Sequence, residues 1–184
     1  MTSTAPMLDV VRLLAVQFAA FQAVLLLVSG VHKLIRPERL RTAAHEFAGV
    51  PRRFAPFALG VVALAELLAC LLLWTPSYRG VGGALAALIW GLYLALILRA
   101  IAQGRRNVDC GCTFGVAQHP LGLFQVSRNA LLAGMAFLVT AESAAGGAGP
   151  IIASQILAAF ALLALYGALD QVMALMPPRG GELL

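Results

Sequence analysis

The chain has 184 residues, of which 61% are hydrophobic and 11% charged, with a formal net charge of +5. A soluble domain carries roughly twice that share of charged residues, so the composition excludes an ordinary globular enzyme and implies a polytopic membrane protein. The basic residues lie between apolar runs, where they orient spans, so nucleic-acid binding is excluded as well.

Met1 to Arg12 reads as a short polar lead-in, followed by the apolar stretch Leu13 to Val31. That stretch is too long, and too poor in preceding positive charge, for a cleaved signal peptide, so the first span is placed at 13–35. His32, Lys33 and Arg36 recur at helical spacing near its end, where long cationic side chains are expected to snorkel to the interface, and Pro37 stops the helix. Residues 38–53 mix Arg39, Arg41, His45, Glu46, Arg52 and Arg53 with Leu40, Phe47 and Val50, a pattern suited to an amphipathic segment on the membrane surface.

The second span is expected at 54–74, with Trp74 at its far interface. Glu66 lies well inside it, and two uses stay open: a functional intramembrane carboxyl, or a protonated or hydrogen-bonded glutamate that joins helices. In either use it should face the bundle interior, with Ser29, Tyr93 or Asn129 to satisfy it. Thr75 to Arg79 forms a tight turn into the third span at 80–98, whose Gly82, Gly83, Ala84, Ala86, Ala87 and Gly91 offer a surface for close helix contact. Arg99 marks the exit of this span.

The polar stretch 105–122 opens with RRNVDCGCTFG, Arg105 to Gly115, which places two thiols one residue apart. Three readings stay open for Cys110 and Cys112: a small strained disulfide that is readily reduced, a pair of soft metal ligands, or two unrelated thiols in a tight turn. Arg105 and Arg106 favour a thiolate and Asp109 disfavours it, so Cys112, farther from Asp109, is the preferred attacking thiol. Cys70 lies toward the far end of the second span, most of an apolar core of about 30 Å away from this stretch.

The fourth span is placed at 124–144, with Arg128 at the interface, and the fifth at 150–176, with Pro150 at its first position and Asp170 near the membrane face. The fold class is therefore all-α: a single membrane domain, a transmembrane helix bundle of four core spans plus a C-terminal fifth. The loops after the first and third spans hold most of the basic residues. The positive-inside rule puts both in the cytoplasm, and with them the Cys-Gly-Cys stretch.

Several of these residues together resemble the MauE family of methylamine-utilisation proteins and, more loosely, the DoxX-like membrane proteins. They are Val108-Asp-Cys-Gly-Cys-Thr-Phe-Gly115 after a Gly-Arg-Arg run, Arg128-Asn129 opening the next helix, and the early Ser29-Gly30 with Lys33-Leu34. The resemblance covers about residues 15 to 145; the departure is Thr113, inserted before Phe114. It implies a multi-pass protein of the cell membrane, inner or plasma, that assists maturation of a disulfide-rich exported enzyme of the methylamine dehydrogenase type. A thioredoxin-like partner, and with it a disulfide relay, is the natural extension.

Under that reading Cys110 and Cys112 are the reacting pair, with Arg105, Arg106, Asp109, Glu66 and Asn129 in support. No cofactor is identified; quinone is a candidate electron carrier. Two other classes compete. A metal or cofactor binder would use Cys110, Cys112, His119 and His45, and a non-enzymatic scaffold or chaperone would use the small-residue faces and the amphipathic segment.

Overall fold

The structure, a computed structural model, describes residues 5–35, 45, 48–105, 122–146 and 152–175. Five helices follow one another: α1 Ala5–Ile35, α2 Ala55–Trp74, α3 Arg79–Ala102, α4 Leu123–Ala144 and α5 Ala153–Leu175, with a 3₁₀ turn at Pro76–Tyr78. All five are long and apolar enough to cross a membrane.

Helix α1 begins at Ala5, so the expected polar lead-in is largely helical. Pro6 falls in the first turn, where a missing N–H costs nothing, and residues 7–12 contain no further breaker. Helix α3 runs one turn beyond the expected exit at Arg99, to Ala102. Gly104, at φ +69°, then ends it: Gly104 N–H donates to Ile101 O and Arg105 N–H to Ala100 O, both at 2.9 Å. Helix α5 opens at Ala153, and Pro150 lies outside the described residues.

Helices α1 to α4 close a ring: α1 packs on α2, α2 on α3, α3 on α4, and α4 back on α1. With no hydrophobic drive between helices in lipid, small residues set how closely they approach. A Cβ on Gly30 would stand 3.2 Å from Ala63 O, which brings α1 hard against α2. On α3, Gly82 abuts Leu72 and Leu73 of α2, while Gly83 abuts Ala136 and Thr140 of α4. Ala84 is exposed and Gly91 touches nothing within 4 Å, so only part of the small-residue surface is used.

The shared core is built from Ala19, Ala20, Phe21, Ala23, Leu25 and Leu26 of α1 with Ala69, Leu73, Ala86, Trp90, Leu132, Ala136 and Val139. Helix α5 stands outside the ring and, among the described residues, rests its backbone on α1, with Ala159 buried. The alternating direction of the spans brings the C-terminal ends of α1, α3 and α5 to one face, together with the N-terminal ends of α2 and α4. That face carries exposed Arg52, Arg53 and Arg99; the opposite one carries exposed Trp74 and Tyr78.

Arg79, expected as the one basic residue of the tight turn 75–79, is instead the first residue of α3 and is buried. Its Nε donates to Leu73 O at 3.1 Å, which satisfies a carbonyl left open at the end of α2.

Candidate functional site

Ser29 and Lys33 are four residues apart on α1 and so share one face of the helix, the face turned toward α2. There they meet Glu66, which is fully buried midway along α2. Lys33 Nζ donates to Glu66 Oε1 at 2.9 Å, to Glu66 Oε2 at 3.0 Å and to Ser29 Oγ at 2.7 Å. Ser29 Oγ donates to Glu66 Oε1 at 3.1 Å, and the Tyr93 hydroxyl on α3 donates to the same oxygen at 2.7 Å. The ammonium also lies 5.6 Å from the centre of the Tyr93 ring.

All three ammonium donors are thus engaged, and the carboxylate on α2 accepts four bonds from two other helices, α1 and α3. A charge pair taken out of water persists only when its remaining hydrogen-bonding capacity is met in this way. Lys33 therefore does not snorkel to the interface, because its buried ammonium is already held by the Glu66 carboxylate. Of the partners expected for Glu66, Ser29 and Tyr93 are in place. Asn129 is not: it sits a turn into α4 and its Nδ2 donates to Gln125 O at 2.8 Å.

One turn along α3 from Tyr93, the Trp90 indole N–H donates to Gln22 Oε1 at 3.0 Å, deep in the core. Nothing in the spacing of the chain flags this contact. The Trp90 and Tyr93 rings stand 5.9 Å apart and join it to the Glu66 cluster.

A second charge pair lies near the basic face. Arg128, expected at the interface, is buried and its Nη1 donates to Asp170 Oδ1 at 2.9 Å. Asp170, expected near the membrane face, is buried too. The guanidinium also lies 5.6 Å from the Tyr166 ring and 6.0 Å from the Phe124 ring. The sequence carried a signal for both pairs, since each joins opposite charges that fall within or near the ends of apolar runs; what it lacked was which helices are neighbours.

Cys110 and Cys112 lie outside the described residues, as do Arg106, Asp109 and His119. The structure does describe the two ends of their segment. Arg105 follows the Gly104 turn and its Nη2 donates to Gln103 Oε1; Gly122 N–H donates to Gln125 Oε1 at 2.9 Å and opens α4. Both ends are on the basic face. Cys70 is a free, half-buried thiol toward the other end of α2. His45, the remaining member of the expected metal set, has its Nδ1 2.8 Å from Val50 O, and among the described residues no cluster of metal-ligating side chains forms.

The fold and this site define a multi-pass membrane protein: a helical bundle whose core is pinned by a buried ion pair and whose chain carries two cysteines between α3 and α4. Residues 11–142 match the family model described as Methylamine utilisation protein MauE, and the chain belongs to that family. It is similar to the Methylamine utilization protein MauE of Methylophilus methylotrophus, at 32% identity over 105 residues, 52% of this chain and 55% of that protein. The match thus spans about half the length of this curated relative. No solved structure matches.

Proposed function

We propose that this protein is a cell-membrane component of methylamine utilisation in which Cys110 and Cys112 cycle between dithiol and disulfide, exchanging with a thioredoxin-like partner that serves an exported client. The observation that carries the reading is that both thiols fall inside the region matched by the family, in the stretch between α3 and α4 whose described ends, Arg105 and Gly122, lie on the basic face. A client rich in disulfides, of the methylamine dehydrogenase type, would give such a relay its purpose.

In each exchange a thiolate attacks a disulfide sulfur of the other protein, forming a mixed disulfide and releasing one thiolate; the second thiol of the attacking pair then attacks the first and expels the other protein's remaining sulfur. One disulfide is made and one is reduced, so the electrons balance between the two proteins. Arg105 and Arg106 stabilise the thiolate form, while Asp109 opposes it. Glu66 holds the bundle rather than reacting, because its carboxylate is already saturated with donors.

Trapping tests this directly. With Cys110→Ser, a reductant-sensitive adduct with the partner is expected through Cys112, and less adduct in the reverse mutant. If Cys110→Ser/Cys112→Ser fully supports maturation of the client, the relay is wrong and a scaffolding role replaces it.

A further inference from the structure

The family match ends at residue 142, within the last turn of α4, so the four-helix ring lies inside it and α5 does not. Among the described residues α5 rests its backbone on α1 alone. Its side of the contact is Ala159, Leu162, Leu163 and Tyr166, with the Tyr166 ring edge-on to Phe21 at 6.3 Å. Toward the opposite face, Gln17 Nε2 donates to Gln155 O at 3.4 Å. A strong polar attachment is Asp170, which Arg128 reaches from α4 at 2.9 Å.

We propose that the face formed by α1 and Arg128 is a receptor for a transmembrane helix carrying a carboxylate near its basic-face end, and that α5 is its occupant in cis. Helix α5 is apolar nearly all round, with Leu157, Phe160, Leu165 and Leu169 exposed on other sides. Lipid tails match such a surface as well as α1 does, so apolar contact alone does not choose a docking face or a register. The ion pair chooses both. Rotating α5 turns Asp170 away from Arg128, and a slip by one turn displaces it by about 5.4 Å, in either case separating a buried ion pair. Tyr166 one turn earlier strengthens the choice, since its ring lies against the same guanidinium.

The test uses the full chain with Cys70, Cys110 and Cys112 replaced by Ser, cysteines placed at Gln17 and Gln155, and a protease site inserted after Gly146. After treatment of membranes with a short bis-maleimide and then the protease, the two fragments should stay joined on a denaturing gel. Asp170→Asn should lower the joined fraction several-fold, and the charge exchange Arg128→Asp/Asp170→Arg should restore it. Undiminished joining in Asp170→Asn would overturn the role of the pair. A covalent dimer before proteolysis would place α5 on a second copy and overturn docking in cis. Should Asp170→Asn fail to accumulate, the charge exchange decides alone: an inserted protein that does not join refutes the proposal.

Discussion

Lys33 holds both carboxylate oxygens of Glu66 at once, at 2.9 and 3.0 Å, and so ties the end of α1 to the middle of α2. Tyr93 adds the third helix through its 2.7 Å bond to the same carboxylate. The contact lies where water is scarce, so its energetics are those of a pair whose members depend on one another.

Removing one member should therefore cost more than removing both. Glu66→Leu alone leaves the ammonium buried without its counter-ion, a loss of about 3–5 kcal/mol. Lys33→Met/Glu66→Leu should recover most of that stability. Denaturant unfolding in detergent micelles gives the cycle, and a double variant no more stable than Glu66→Leu contradicts the pairing account.

Gly83 and Gly91 lie on the same helix and should respond oppositely to alanine. A Cβ at Gly83 would stand 2.6 Å from Thr140 Oγ1 and 3.0 Å from Ala136 O, and the second is backbone that does not yield without parting α3 from α4. Gly83→Ala should destabilise by about 1–3 kcal/mol, the usual range for overpacking. Gly91 has nothing within 4 Å, so Gly91→Ala should be neutral or slightly stabilising. Thermal unfolding of the two variants side by side checks the α3–α4 interface.

Orientation is open to a labelling measurement in intact cells. With the native cysteines replaced, a single cysteine at Tyr78 should react with an impermeant maleimide directly, and one at Arg105 only after permeabilisation. The expectation rests on exposed Arg52, Arg53 and Arg99 marking the cytoplasmic face. The reverse pattern would put the two-cysteine segment on the extracytoplasmic side, where stable disulfides persist.

The number of spans was legible in the chain because a bilayer accepts only long apolar helices, and the runs around Glu66, Gly83 and Phe160 are long enough to show by themselves. The resemblance to the family was also legible, since it rests on short runs such as Cys110-Gly-Cys112 and Arg128-Asn129 that need no third dimension. The fates of the charged residues were not. Lys33, Arg79, Arg128 and Asp170 all lie near the ends of apolar runs, where snorkelling to water and pairing inside the bundle predict the same local sequence. Which occurs depends on whether an opposite charge or an open carbonyl stands within a few ångströms on another helix. That is a property of packing: the ring of α1 to α4 brings Glu66 to Lys33 and Leu73 O to Arg79, and the seat of α5 on α1 brings Asp170 to Arg128.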